Sequence, residues 1–564
     1  MIRRNARLAG TSLLLLFILL LWLYPLLTLR LAHVHDFPVH LRWADQFLSA
    51  LRDGWLLPRW ASASLNGLGD PTFFYYQPLF YYITSIFSVL GLRSEYALVW
   101  AATVPYMLLG WIVYCHMLEG YRNRNAVLGT MFVLGCPILY FLSTHYAGLP
   151  WSLSLPFSVL FVAESTREQP RPLRLAVLLS LICLSHLLSG LITLSCSGLG
   201  RLAFAFPTRR TIGSHIKWGL GVVLGLGLAS FFIFPAISQL HLINPGGWTD
   251  DATFDWRRAF ILPLVGHFKY GDRWFSIQWP FALLALLMCV MVLMRRPLGT
   301  PTPAQVFARR LALVGLSALV LGSELAYPLY ALVPPMQKLQ FPYRFVFLAT
   351  LLANIAFVIH LNENAWRRWG KLAKSAAVLL IVAQCTQTAY MQWNLHRTGE
   401  KLPDRATFMT GNFGQPEYLP AVSGPHWKQY VADGKLVGEC QRLGIGCNET
   451  NHRTHDFSVV IDTPRTVSVR LPVFAFPAWR VTVDGVTQAT TADTDTGLVL
   501  VELPPGRHKV TMSWSRLPAE VIGLWISAAA LVVLLGALAI LMLRRRHGAI
   551  QQTGVTQVQA AVPA

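Results

Sequence analysis

Apolar residues in this chain gather into long uninterrupted runs, separated by short basic or aromatic stretches, over most of its length. About 20 such residues at about 1.5 Å each cross the roughly 30 Å of a bilayer's hydrocarbon, so the runs predict transmembrane helices. The first extends from Leu8 to Leu29 behind Arg3, Arg4 and Arg7. A secretory leader has a shorter apolar core and a small-residue cleavage site, whereas this run ends near Tyr24-Pro25, so it predicts an anchor. The pattern as a whole predicts about twelve crossings, at 8–30, 96–118, 126–143, 150–164, 173–187, 189–206, 218–236, 276–294, 311–333, 345–361, 374–392 and 519–543.

Between 393 and 518 the periodicity changes from helical to alternating. Phe457–Ile461, Thr466–Arg470, Trp479–Val483, Leu498–Glu502 and His508–Met512 read as strands, punctuated by the turn pairs Asp484-Gly485 and Pro505-Gly506. The expected architecture is an α-helical polytopic membrane protein with a C-terminal β-sandwich outside the cytoplasm. Its divisions are 1–392, a transmembrane module whose first outer loop is 31–95; 393–518, the β-rich block; and 519–564, a final helix and tail.

Composition agrees with the bilayer as main solvent: 54% of residues are hydrophobic, 13% are charged, and mean hydropathy is +0.46. The net charge of +20 would suit nucleic acid if it formed one patch. It does not. The basic residues fall in seven clusters between apolar runs, from Arg3/Arg4/Arg7 through Arg167/Arg171/Arg174 to Arg544/Arg545/Arg546, with few acids nearby. This is the positive-inside pattern, and no nucleic-acid partner is expected.

Clusters on one side must be separated by an even number of crossings. Both termini are then expected to be cytoplasmic, and the β-rich block to lie on the outer face of a bacterial inner membrane. Two places test the scheme. Segment 73–92 is apolar, yet a crossing there would invert every later cluster, so it reads as interfacial or re-entrant, with Phe73, Phe74, Tyr75, Tyr76, Tyr81 and Tyr82 suited to the interface. Segment 172–206 must be a tight hairpin turning near Ser189-Gly190.

Six of eight cysteines lie in apolar runs, where a thiol packs as a small hydrophobe. Cys440 and Cys447 lie in the outer block, where an oxidising compartment favours a disulfide. The other reading is a zinc site completed by His452 and His455.

Chemistry concentrates directly after the first span. His33-Val34-His35-Asp36-Phe37-Pro38-Val39-His40-Leu41-Arg42 is followed by Pro58-Arg59-Trp60, by Gly67-Leu68-Gly69-Asp70-Pro71 and by Tyr75-Tyr76-Gln77-Pro78-Leu79. Together with Gln340-Phe341-Pro342-Tyr343-Arg344-Phe345, Glu417-Tyr418-Leu419-Pro420 and Phe476–Gly485, these motifs resemble the bacterial membrane family labelled "6-pyruvoyl-tetrahydropterin synthase-related" over nearly the whole chain. That family in turn resembles the GT-C superfamily of glycosyltransferases, which use polyprenyl-phosphate sugars. Nothing in this helical chain matches the zinc-binding histidines of a soluble pterin synthase.

The resemblance implies transfer of a sugar from a polyprenyl-phosphate donor to a glycan or lipid acceptor in the envelope, with Asp36 as the base. An inverting transfer needs a carboxylate to take the acceptor's proton and cations to hold the departing phosphate. His35 and His40 are candidates to assist Asp36, and Arg42, Arg59 and Arg344 to clamp phosphate. Asp70, Tyr75, Tyr76, Gln77, His145, His186 and Glu324 are further candidates for the substrate cavity. No cofactor is assigned, and a divalent metal stays open. Where the family pattern leads one to expect an Arg-Gly-Ala-Leu-Ala-Glu-like stretch, the chain has Thr144-His145-Tyr146-Ala147-Gly148-Leu149-Pro150-Trp151, which removes a charged pair.

Each residue has a structural alternative. Asp36 before Phe37-Pro38 suits a helix N-cap. Arg42 and Arg59 suit pairing with Asp45, Asp53 or lipid headgroups, Arg344 suits snorkelling at the interface, and His145 and His186 suit polar caps. Asp250 and Asp251 read as a solvated loop tip or as a metal or acceptor contact, and Trp427, Trp479 and Tyr430 as stacking surfaces or core. A non-catalytic role in polysaccharide assembly or export, or a transporter, is the competing function.

Overall fold

The computed structural model describes residues 2–28, 36–244, 255–261, 273–294, 300–363, 370–398 and 415–560. Among them, six helices are long and apolar enough to cross a membrane: Ser94–Met117, Leu187–Phe204, Pro303–Leu321, Pro342–Glu363, Lys371–Asn394 and Pro518–Arg544. The number rises to eight if two bent pairs each count as one span, Asn123–Leu134 with Pro137–Thr144 (46°) and Ile212–Leu228 with Ser230–Ser238 (77°). Shorter apolar helices include Arg7–Leu21, Pro172–Ser185 and Gln278–Met294. Length and composition thus support six to eight spans, fewer than the twelve runs read from the pattern. Prolines and glycines explain part of the gap. Gly135-Cys136-Pro137 splits one run, and Pro25 sits just after a π-helical stretch, Leu19–Leu23, in the first helix.

Three boundaries differ from the pattern. The run placed at 311–333 is helical at Pro303–Leu321 instead, started by a capping box between Thr302 and Gln305 and ended at Gly322. After it come a 3₁₀ turn, Glu324–Ala326, and two short helices, Tyr327–Leu332 and Pro334–Gln337, where Pro328, Pro334 and Pro335 prevent a continuous span. The hairpin over 172–206 turns at His186, not at Ser189-Gly190. His186 is extended (φ −159°, ψ 106°) and its side chain caps the second helix by accepting from the Ser189 amide. Gly190 is what lets that turn close, since a Cβ there would stand 2.7 Å from the Cys183 sulfur.

In the first loop, the amphipathic helix Phe37–Arg52 buries Phe37, Leu41, Trp43 and Phe47. Segment 73–92 forms two short helices, Thr72–Tyr75 and Leu79–Val89. Of its aromatic residues, Phe73, Phe74, Tyr75 and Tyr81 are buried within the protein and Tyr76 and Tyr82 are half-buried, while the exposed apolar residues are Ile86, Val89 and Leu90. The rings are large enough to fill the space beneath Phe37–Arg52, where Phe47 meets Phe73 edge-on at 5.2 Å.

The described residues of the C-terminal block form eight strands: β1 (Gly446–Arg453), β2 (Asp456–Thr463), β3 (Val467–Phe474), β4 (Trp479–Val483), β5 (Val486–Gln488), β6 (Thr491–Ala492), β7 (Leu498–Leu503) and β8 (Gly506–Trp514). They form two antiparallel sheets, β1-β2-β8-β4-β5 and β3-β7-β6. Five coincide with the alternating runs. Strand β1, Gly-Cys-Asn-Glu-Thr-Asn-His-Arg, has no apolar alternation because it is an exposed edge. Asp484 and Gly485 both have positive φ (49° and 83°), the backbone that a two-residue hairpin between β4 and β5 requires. Cys440, on the helix Lys435–Leu443, is joined to Cys447 on β1, with Cα atoms 6.2 Å apart. No cluster of three or more metal-ligating side chains occurs among the described residues, and His452 pairs with Glu449 instead.

The sheets and the first loop share one apolar core. The Trp60 indole sits 5.5 to 5.9 Å from Phe476, Trp479 and Trp514. Gly69 (φ 75°) lies so close to that indole that a Cβ would overlap it. The amides of Arg59 and Trp60 both donate to His455 Nε2 at 3.2 Å. Trp479 is therefore core rather than a stacking surface, and Trp427 and Tyr430 are likewise buried.

Candidate functional site

Asp36 occupies the N-cap position of Phe37–Arg52, one residue before Phe37-Pro38, yet its carboxylate makes no capping hydrogen bond. The half-buried side chain is not spent on the helix end. One turn on, His40 Nδ1 lies 2.8 Å from the Tyr81 hydroxyl, and its other ring nitrogen faces the Ala147 carbonyl. Burial pushes the imidazole down to about 4, against opposing pulls from Asp36 and that carbonyl. A neutral ring bonded on both sides donates to Ala147 and accepts from Tyr81. His40 is thus a positioning residue that ties the first loop to the segment after Thr144.

That segment is unusual in its backbone. Ala147 has φ 53°, a left-handed conformation that a non-glycine residue adopts at a cost. It brings the Ala147 carbonyl to His40 and the Tyr146 phenol to Arg344. Arg344 ends a 3₁₀ turn, Pro342–Arg344, that leads into the late helix Phe345–Glu363. Its Nη1 donates to the Leu339 carbonyl at 2.8 Å, and the guanidinium lies over the rings of Phe341 (5.0 Å) and Trp151 (5.7 Å). Tyr146 is hydrogen-bonded to Arg344, while the buried Nε of Arg344 has no partner among the described residues. The guanidinium is thus set against two rings, with its Nη1 committed to a carbonyl and its Nε enclosed.

Electrostatics joins the two ends of this arrangement. The Tyr76 and Tyr146 phenols are both pushed up by burial. In each, Asp36 pushes further in the same direction and Arg344 opposes it. Asp36 and Arg344 therefore act on the same pair of hydroxyls, one charge from the first loop and the other from the mouth of a late helix. Tyr76 packs on Trp43 at 4.6 Å and meets Tyr418 edge-on at 6.3 Å. His186 stacks on Trp151 (5.5 Å, 12°), and its Nδ1 lies 2.7 Å from the Ser189 hydroxyl. Tyr146, Trp151 and Tyr418 are additions that sequence reasoning did not single out as site residues. Tyr146 and Trp151 lie in the stretch that departs from the family pattern, and Tyr418 in a motif noted only for resemblance.

Other candidates are elsewhere. Arg59 is not a phosphate clamp: its Nε pairs with Glu520 at 2.9 Å, its Nη2 donates to the Phe231 carbonyl at 2.9 Å, and it lies over Phe74. The pair is enclosed, so no ligand reaches it. Asp70 is fully buried. Its Oδ1 accepts from the Thr72 amide at 3.0 Å, its Oδ2 has no partner among the described residues, and burial pushes the carboxyl up to about 7. It acts at the start of Thr72–Tyr75 rather than in an open cavity. The Tyr75 hydroxyl is committed to the Gln239 carbonyl at 2.6 Å. Gln77 is buried with its Oε1 unpaired among the described residues, and Arg42 is buried enough that its pKa falls to about 10. His145 stacks on Phe141 and lies 3.0 Å from the Thr144 hydroxyl. Glu324 is buried in the turn after Pro303–Leu321. His35, Asp250 and Asp251 lie outside the described residues. Two cavities, of about 760 and 620 Å³, are lined by neither Asp36 nor Arg344.

Fold and site together define a polytopic membrane protein with an aromatic-walled acid and guanidinium cluster. A family model described as "6-pyruvoyl-tetrahydropterin synthase related domain; membrane protein" matches residues 73–395, more than half of the chain. The chain belongs to this family. No curated protein matches it. Among solved structures, it is similar to arabinofuranosyltransferase AftD from mycobacteria, at 12% identity and TM-score 0.40, over 91% of this chain and 40% of that one. A mutant of AftD gives 14% identity and TM-score 0.40, over 71% of this chain and 28% of that one. The chain thus spans less than half the length of these relatives.

Proposed function

We propose that this protein is a membrane glycosyltransferase that moves a sugar from a polyprenyl-phosphate donor to an envelope or surface-glycan acceptor. The observation that carries the reading is the convergence of two elements: the helix that Asp36 begins is tied through His40 to Tyr81 and the Ala147 segment, and Arg344 sets its guanidinium against Phe341 and against Trp151 just beyond that segment. Asp36 takes the proton of the acceptor hydroxyl as that oxygen bonds the anomeric carbon. The bond from that carbon to the phosphate oxygen breaks with inversion, and the phosphate leaves with the electron pair. Arg344 meets the growing negative charge beside the Phe341 and Trp151 rings, in surroundings of low polarity where a fixed cation acts strongly. Tyr76 and Tyr146, kept protonated by burial, supply neutral hydrogen-bond donors to sugar or phosphate.

The reading carries a topology: twelve crossings, both termini cytoplasmic, and the two sheets packed as a sandwich on the outer face of a bacterial inner membrane. Residues 1–392 form the transmembrane module, and 393–518 stand outside, next to the first loop. Asp36→Asn keeps size and hydrogen bonding and removes the base. The expected outcome is loss of the modification from envelope glycan, with the protein at unchanged abundance. An unaltered glycan at equal abundance rejects catalysis and leaves the non-catalytic role in glycan assembly or export.

A further inference from the structure

The cavity of about 760 Å³ belongs to a different part of the molecule from Asp36 and Arg344. It lies where helices Leu149–Ser165 and Pro172–Ser185 are joined, beside the start of Pro303–Leu321 and the end of Ser94–Met117. Its walls divide by chemistry. Met117, Leu160 and Phe307 give an apolar floor, and the polar part is lined by Arg167, Arg174 and Arg310 together with Glu164, Glu168 and His116, the last 3.2 Å from Arg174 Nη2.

The counter-charges do not use up these cations. Glu164 is 3% exposed and accepts the Arg171 amide at 2.9 Å, but Arg167 and Arg174 reach it only at 3.6 Å, well beyond the 2.7–2.9 Å of a strong charged hydrogen bond. Glu168 is 84% exposed and stands 3.4 Å from Arg310, whose Nη1 is held by the Thr166 carbonyl at 2.7 Å. Arg167 and Arg174 remain 50% and 37% exposed. Lys217 extends the basic surface by donating to Gln169, a further lining residue, at 2.7 Å. Excess guanidinium at the mouth of an apolar pocket matches an anion that carries hydrocarbon.

We propose that this cavity binds an acidic phospholipid, with the phosphodiester between Arg167 and Arg174 and the first acyl carbons over Phe307 and Leu160. The site faces the side on which the basic clusters gather. It uses the proposed topology but not the chemistry at Asp36, so the two stand or fall separately. A free phosphate shares the headgroup chemistry but leaves the apolar floor unused.

The test is native mass spectrometry of the full chain in mild detergent, titrated with phosphatidylglycerol, phosphatidylcholine or inorganic phosphate. Phosphatidylglycerol is expected to be retained selectively, to resist competition by inorganic phosphate, and to bind about tenfold more weakly to Arg167→Gln/Arg174→Gln. Equal retention of the two lipids, displacement by inorganic phosphate, or undiminished binding by the variant overturns the proposal. Photo-crosslinking of a diazirine-bearing phosphatidylglycerol to the unaltered chain gives a second answer without any variant. Labelled peptides should contain Leu160 or Phe307, and labelling confined to other peptides overturns it.

Discussion

The guanidinium of Arg59 and the carboxylate of Glu520 lie 2.9 Å apart with side chains 5% and 4% exposed. A pair so enclosed contributes little net stability, because desolvation offsets most of the attraction, but either charge left alone is expensive. Glu520→Gln should therefore destabilise the protein by about 3 to 5 kcal/mol, and Arg59→Met/Glu520→Leu by clearly less. Thermal unfolding in detergent, followed by tryptophan fluorescence, checks this. A double variant as unstable as the single one would mean that the pair is not self-contained. Arg59 also shows where sequence reasoning stops at this scale. Pro58-Arg59-Trp60 is visible as a motif, but its partner Glu520 lies at the start of the last helix, and no local pattern links them. Arg344 was legible as a cation because Pro342-Tyr343-Arg344 opens a late span. The phenol it holds, Tyr146, was not, because the link depends on the left-handed backbone at Ala147.

Helix Leu79–Val89 has 11 residues, about 16 Å of length, and cannot cross about 30 Å of hydrocarbon. Phe80 and Tyr81 are buried, while Ile86, Val89 and Leu90 at its tip are 59%, 74% and 75% exposed. Such a tip is stable in contact with lipid and costly in water. A fluorophore on Leu90→Cys should be quenched by nitroxide lipids in a reconstituted bilayer; quenching by aqueous iodide alone would place the tip in water. The apolar character of 73–92 was legible, but its burial was not, since rings suit both a membrane interface and a protein core. Strands behaved differently. Alternation revealed β2, β3, β4, β7 and β8, each with one face in the core, but the polar edge β1 carries no such signal. The break at His186 falls within a few residues of the expected turn, whereas the start at Pro303 was missed because the polar, basic stretch 295–310 hides the helix's first two turns from hydropathy. Only capping chemistry, at His186 and at Thr302 with Gln305, marks where the helix begins.

At the scale of the whole molecule, the first loop lies between the helices and the sheets. Trp60 enters the core of the β-rich block, Arg59 reaches Glu520 on the last helix, and His40 reaches Ala147 between two earlier ones. Asp36 is held by this three-way anchorage, whereas Arg344 belongs to the helical module. The central claim is that the two serve one donor in distinct roles, with Arg344 binding the phosphate and Asp36 acting only during transfer. Lipid mass spectrometry of protein purified in mild detergent tests this most directly. A polyprenyl-phosphate sugar should copurify with the wild type, persist or accumulate with Asp36→Asn, and fall at least about tenfold with Arg344→Gln, as loss of a charged phosphate contact implies. Equal amounts of that lipid on Arg344→Gln and wild type, or none on wild type and Asp36→Asn alike, would contradict the account.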